Sequence, residues 1–224
     1  MTPAFKKNNY MVIKKDIDPK IAEFAMNYLM MKRQVARTMF DERFISPFTT
    51  EWGVWNDVQA PETYSHYADM VMETMLLKVL PIMEKETGLK LIPTYSYTRI
   101  YKNGDILKRH KDRFSCEIST TMNLGGDKWP IYIEPNPKKG GDTDEGYKSD
   151  YTDGVKVDLK PGDMLVYRGN ICEHWRDKFT GKDCAQVFLH YNNAATKGAK
   201  KNMFDGRPHI GLPSYWQDKV DHSN

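Results

Sequence analysis

Among the six histidines of this 224-residue chain, one opens a His-x-Asp triplet, His110-Lys111-Asp112. In an extended segment, residues two apart project from the same face. The His110 imidazole and the Asp112 carboxylate therefore aim at one spot. His174, far downstream and just past the β-rich segment Met164 to Arg168, is the imidazole that can join them. Two imidazoles and one carboxylate, with the remaining positions open, make the facial donor set that suits a ferrous ion. The open face leaves room for a co-substrate and dioxygen together. Cysteine is absent from the set, which separates it from structural zinc. The triplet by itself also fits a surface His beside a solvated Asp, and either histidine also fits a satisfied structural role.

These side chains need elements to hold them. Ile21, Phe24, Ala25, Tyr28 and Val35 recur at helical spacing behind an Asp18-Pro19 cap, which predicts a first helix. A second is expected after Pro61, with Tyr64, Tyr67, Val71, Met75 and Val79 on one stripe, ending near Gly88. Between them, Asp41 to Ala60 is rich in aromatics (Phe44, Phe48, Trp52, Trp55). Filling a gap beneath the loop is the favoured role for these, ahead of lining a substrate entrance. From Thr94 the texture turns to strand. The stretch TYSYTRIY ends at the turn Lys102-Asn103-Gly104-Asp105. Further strands are expected at Ser115 to Leu124, Pro130 to Glu134, Val155 to Leu159, Met164 to Arg168 and Cys184 to Tyr191. Short strands with Gly, Pro and Asp turns predict a sandwich or barrel, not a βαβ array. Asn136 to Gly154 is polar and reads as a mobile insertion. After Asn193 an irregular cap is expected, anchored by Phe204, Ile210, Leu212, Tyr215 and Trp216.

Composition sets the frame. Hydrophobic residues make up 40% and charged residues 28%, a globular balance. No run approaches the ~18 apolar residues of a membrane helix, and the N-terminus shows no secretory segment. The three cysteines (Cys116, Cys172, Cys184) form no CxxC pair, so the chain reads as reduced and cytoplasmic. A net charge of +3 is too weak a bias for a nucleic-acid partner. The basic clusters at the ends read as solvated tails.

The segments RIYKNGDILKRHKDRFSCEIS, LKPGDMLVYRGNICEHWRD and QVFLHY resemble the Fe(II)/2-oxoglutarate-dependent oxygenases, in particular the prolyl 4-hydroxylase-like group. The resemblance runs from Tyr97 to Asn193. It implies an α+β chain with a double-stranded β-helix (jelly-roll) core and helices packed outside. One domain over 1–224 is expected, with a mainly helical support (1–93), the core (94–193) and a C-terminal cap (194–224). The resemblance implies His110, Asp112 and His174 as iron ligands, and Tyr101 as a contact to 2-oxoglutarate. It implies hydroxylation of an unactivated C–H bond by Fe(II), 2-oxoglutarate and dioxygen, on a prolyl or other side chain in a peptide or protein. A free amino acid or small metabolite is the alternative substrate.

One position departs from the family. Cys184 stands where these enzymes place the basic residue that holds the distal carboxylate of 2-oxoglutarate. A buried carboxylate still needs a cation or several hydrogen bonds. Arg176, two residues beyond His174, is the first substitute, and Lys182 and Arg99 are the fallbacks. The competing role for Arg176 is a surface ion pair with Asp177 or Glu173. Arg113, Trp175 and His190 are candidates for contact with the substrate or the metal ligands, against an ordinary salt bridge for Arg113 and a core role for His190. Cys116 and Cys172 read as small hydrophobes. His66, His209 and His222 have no nameable partner. Two rival classes are a non-oxidative cupin-like metal jelly roll and a binding module with a vestigial site.

Overall fold

The computed structural model describes residues 1–217, so His222 lies outside the described residues. The N-terminal part runs α1 (Pro3–Asn8), β1 (Tyr10–Ile13), α2 (Pro19–Asp41), β2 (Tyr64–Tyr67) and α3 (Met70–Thr87). Then come β3 (Leu91–Lys102), β4 (Leu107–His110), β5 (Ile118–Gly126), β6 (Ile131–Glu134) and the hairpin β7 (Gly141–Thr143) and β8 (Gly146–Lys148). The set closes with β9 (Val155–Val157), β10 (Met164–Tyr167), β11 (Glu173–Arg176) and β12 (Asp183–Asn193).

Two antiparallel sheets are built in alternation. The larger has the order β1-β10-β5-β12-β3-β2, and the smaller β4-β11-β6-β9. Along the chain β3, β5, β10 and β12 enter the first sheet, while β4, β6, β9 and β11 enter the second. That order winds the chain as a double-stranded β-helix, and the α+β class is as expected. Alternation along β12 divides the interior. Ala185, Val187, Leu189 and Tyr191 join the apolar layer shared with α2 and α3. Cys184 and Phe188 belong to the inner cluster with Tyr101, Trp129 and Phe179.

The first helix forms where the cap predicts: the Asp18 carboxylate accepts from the Lys20 amide at 2.9 Å. Its buried face matches the expected one only in part: Ile21, Ala25 and Tyr28 pack on the core, while Val35 is exposed. Ala22, Ala25, Leu29 and Ala36 face the sheet, while Phe24 is 65% exposed. Small residues let the helix lie close to the larger sheet. The second helix begins at Met70, not after Pro61. Asp69 caps it by accepting from the Val71 and Met72 amides. Tyr64 and Tyr67 lie instead on β2, paired with Ile100 and Tyr97 of β3. Gly88 ends α3 with φ +67°, a left-handed conformation that favours glycine.

Three further expectations need correction. Phe44 and Phe48 fill no gap: they are 83% and 89% exposed, although Trp55 packs on the core. The 136–154 insertion forms the β7–β8 hairpin, and the Tyr147 hydroxyl ties it to Glu173 at 3.0 Å. The cap after Asn193 keeps Ile210 as an apolar anchor on the core while Tyr215 and Trp216 are exposed, and buried charge pins it as well. Its fully buried Arg207 pairs with Glu73 of α3 at 2.8 Å, and its Asp205 pairs with Arg113 at 2.6 Å. The three cysteines are free and buried. Among the described residues no helix is long and apolar enough to cross a membrane.

Candidate metal centre

His110 ends β4 and His174 sits on the neighbouring β11, where the two are direct register partners. Asp112 follows β4 and is held by its amide, which donates to the Gly169 carbonyl at 2.9 Å. The Asp112 Oδ1 lies 3.5 Å from Nε2 of both His110 and His174. The three donor atoms fall within 4.8 Å of one another. The sequence-predicted triad thus meets at one point.

Tautomers sharpen the meaning of that geometry. Nδ1 of His110 faces the Lys108 carbonyl oxygen at 2.8 Å, and Nδ1 of His174 faces that of Cys172 at 3.0 Å. A carbonyl only accepts, so each Nδ1 carries a hydrogen. In the neutral rings both Nε2 lone pairs then point at a carboxylate oxygen, which also only accepts. Such a set calls for a cation at its centre, with the carbonyls fixing the ligand rings. Asp112 and His174 answer each other directly as well. Burial opposes ionisation of both groups, yet their mutual attraction wins. It holds the Asp112 carboxyl well below the usual carboxylate range and the His174 imidazole above its ordinary value.

A cavity of about 310 Å³ opens onto these donors, lined among others by Tyr95, Tyr97, Arg99, Arg113, Phe188 and His190. Behind it, β11 presents Arg176 on the same side as His174, although neither Arg176 nor Tyr101 is among the residues that line this cavity. Arg176 is 1% exposed and takes part in no ion pair among the described residues: Glu173 is engaged by Arg109 at 3.0 Å. Its guanidinium donates to the Trp129 carbonyl oxygen and to Gln186 Oε1 (3.2 Å), and its Nε makes no hydrogen bond. Burial pushes its pKa down, with Cys184, Tyr101 and Tyr167 close by. The Arg176 head therefore reaches the neighbourhood of Cys184. The competing surface pair with Glu173 or Asp177 does not form.

The other candidates divide. Arg99 is already paired with Asp57 (2.7 Å) and donates to Gln59 Oε1 and the buried Tyr101 hydroxyl. Lys182 is exposed beside the Gly181 turn and lines no part of this cavity. Trp175 points to the opposite face of its sheet, stacked on Tyr132 and under Arg109. Strand alternation dictates this, because Trp175 lies between two inward residues. Arg113 lines the cavity while pairing with Asp205. His190 does face the site, and its Nδ1 is 2.9 Å from Ser119 Oγ.

Two residues at the centre carried no sequence signal. The Ser119 hydroxyl lies 3.4 Å from Asp112 Oδ2. Gly169 leaves the space beside it, for an added Cβ would collide with Asp112 Oδ2 and lie 2.9 Å from Ser119 Oγ. A serine in a strand and a glycine in a turn look ordinary until the fold brings them to the carboxylate.

No family model matches the sequence, and neither does any curated protein. Solved structures do match. The non-heme alpha ketoglutarate dependent epimerase SnoN from nogalamycin biosynthesis aligns at TM-score 0.59 and 13% identity, over 85% of this chain and 80% of that one. A prolyl-4-hydroxylase of Pseudomonas putida aligns at TM-score 0.54 and 12% identity, over 85% and 96%. HygX from Streptomyces hygroscopicus, with nickel and 2-oxoglutarate bound, gives 0.56 and 13%, over 87% and 88%. The chain shares their fold. At such identities the likeness extends to the double-stranded β-helix and not to a substrate.

Proposed function

We propose that this chain is an Fe(II)/2-oxoglutarate-dependent dioxygenase that hydroxylates an unactivated C–H bond, most readily on a prolyl or other side chain of a peptide. The carrying observation is the pair of imidazole Nε2 atoms, each 3.5 Å from one oxygen of Asp112, with both far nitrogens tied to backbone carbonyls. Two neutral imidazoles and one carboxylate fit a ferrous ion and leave its other positions open. The buried, acid-free guanidinium of Arg176 fits the distal carboxylate of 2-oxoglutarate, supported by the nearby Tyr101. SnoN and HygX have been seen with alpha ketoglutarate or 2-oxoglutarate bound.

Iron and 2-oxoglutarate, when bound, supply the oxidation that places one oxygen of dioxygen into a C–H bond as the co-substrate becomes succinate and CO2. The protein's own part is placement. The Lys108 and Cys172 carbonyls orient His110 and His174. The Gly169 carbonyl accepts from the Asp112 amide and fixes its backbone. Arg176 offers charge and directed N–H groups to a carboxylate. Tyr95, Tyr97 and Phe188 wall the cavity against water.

A peptide fits the surroundings. The 41–60 segment contributes Gln59 to the cavity wall, and Tyr97 is shared with a second hollow bounded by Pro47, Phe48 and Pro213. On the other side the Lys111 Nζ donates to the Pro137 and Gly140 carbonyls, holding the hairpin segment beside the metal loop. The test is incubation with Fe(II), 2-oxoglutarate and a proline-containing peptide library. A mass gain of one oxygen on peptides supports the proposal. Gain only on free amino acids replaces the substrate class. Metal uptake without any 2-oxoglutarate consumption overturns the oxygenase reading in favour of a non-oxidative jelly roll.

A further inference from the structure

Asp112 belongs to two donor sets. Its Oδ1 faces His110 and His174, while its Oδ2 faces Ser119. A donor atom of Asp112, Cys116 Sγ and a ring nitrogen of His190 also lie within 4.8 Å of one another. All three residues line the same cavity. Cys116 Sγ touches the Tyr95 hydroxyl at 3.1 Å, and His190 Nδ1 touches Ser119 Oγ at 2.9 Å.

We propose that Asp112, Cys116 and His190 form a second cation site, selective for a thiophilic divalent ion such as Zn²⁺, whose occupation draws Asp112 away from the His110–His174 pair. A sulfur, an imidazole and a carboxylate are a zinc or cobalt donor set, whereas the first triad lacks sulfur. Binding replaces the thiol proton of Cys116, which leaves to solvent, by a sulfur–metal bond. It also breaks the Tyr95 contact. The cavity gives an ion access without unfolding. The site stands on the geometry around Asp112 alone and does not depend on the oxygenase reaction. Its consequence for that reaction is inhibition by zinc through a residue outside the ferrous ligand set.

Cobalt(II) reads the site directly, because a cysteine sulfur bound to cobalt gives a near-ultraviolet charge-transfer band. The full-length metal-free chain is titrated with Co²⁺, and bound Co²⁺ is displaced with Zn²⁺. The band is expected in the wild type and in the His110→Ala/His174→Ala variant, and absent in Cys116→Ser. Zinc affinity of the double variant, measured by competition with a chromophoric chelator, is expected to fall at least tenfold on adding His190→Gln or Cys116→Ser. Circular dichroism confirms folding of each chain, and His190→Gln carries the test if Cys116→Ser fails to fold. No band in the wild type overturns the proposal, as does a band that survives Cys116→Ser. A band lost in the His110→Ala/His174→Ala variant shows a single site and also overturns it. Failure of the oxygenase reading is a separate result, namely metal uptake by the wild type without any 2-oxoglutarate consumption.

Discussion

His110 and His174 face one another as register partners across β4 and β11, their ring centroids 4.2 Å apart. Two adjacent strands thus deliver two ligands with no loop to adjust between them, and only Asp112 depends on a turn. The rigidity of the pair is that of the sheet itself, which suits a site that must keep its geometry when loaded and empty.

Removing a ligand should cost more than loosening one. Asp112→Ala leaves two imidazoles, and turnover is expected near background. Iron affinity should fall beyond the ~10- to 100-fold typical of losing an outer partner. Competition with a ferrous chelator measures it, and wild-type affinity in the variant would remove Asp112 from the ligand set.

Gly169→Ala probes the same carboxylate from behind. The new Cβ collides with Asp112 Oδ2 and sits 2.5 Å from the Cys116 carbonyl oxygen. Overpacking of this kind costs about 1–3 kcal/mol. A lower thermal midpoint and weaker metal binding are expected together, and an unchanged metal titration would show that Asp112 has room to move.

Arg176→Met separates binding from stability. The variant loses a charge-assisted contact to the distal carboxylate, so KM for 2-oxoglutarate should rise roughly ten- to a hundredfold, equivalent to about 1.5–3 kcal/mol. The metal-free fold should change by no more than about 1 kcal/mol, because relief of an unpaired buried charge offsets two lost hydrogen bonds. Kinetics and thermal melts with and without 2-oxoglutarate read both quantities. A large loss of stability with KM unchanged would make Arg176 a structural residue only.

The C-terminal cap should be the costly place for a charge deletion. Arg207 and Glu73 are both essentially buried and joined at 2.8 Å. Arg207→Met leaves the Glu73 charge unpaired, which costs about 3–5 kcal/mol. Urea unfolding monitors the loss, and a shift under 1 kcal/mol, far below this ~3–5 kcal/mol range, would show that water enters to solvate Glu73.

His190 makes the fold acid-sensitive. Burial pushes its pKa down to about 4, against about 6.5 in the unfolded chain. Between those values the unfolded chain binds the extra proton, so stability is full above about pH 6.5 and declines toward pH 4. The expected loss is roughly 3 kcal/mol, and His190→Gln should flatten that part of the pH profile. His174 acts in the opposite sense in the metal-free chain. Its raised pKa contributes stability that is complete below about pH 6.5 and fades as pH climbs through the folded value.

The triplet His110-Lys111-Asp112, the late His174, the strands β3, β5, β6, β9, β10 and β12 and the capped α2 were legible in the residues, because each rests on local spacing or local turn chemistry. The short ligand-bearing strands β4 and β11 were not among the expected strands. His190, named among the candidates, lies on the cavity side of β12 with Phe188 beside it in the lining. Local rules misled where two periods overlap: Tyr64 and Tyr67 are three apart and suit a helix, yet the free edge of β3 recruits them as a strand. They misled again in the cap, where apolar side chains drew notice and the buried partners proved to be Arg207 and Asp205. A charge enters a core only if a partner from elsewhere in the chain meets it there, and sequence spacing holds no record of such partners. The unpaired state of Arg176, the Ser119 hydroxyl beside Asp112 and the space at Gly169 arise likewise from contacts between distant segments. The chain by itself determined which donors exist. Only the closing of two sheets on one another decided which donors face a common point, because that depends on register across strands far apart in sequence.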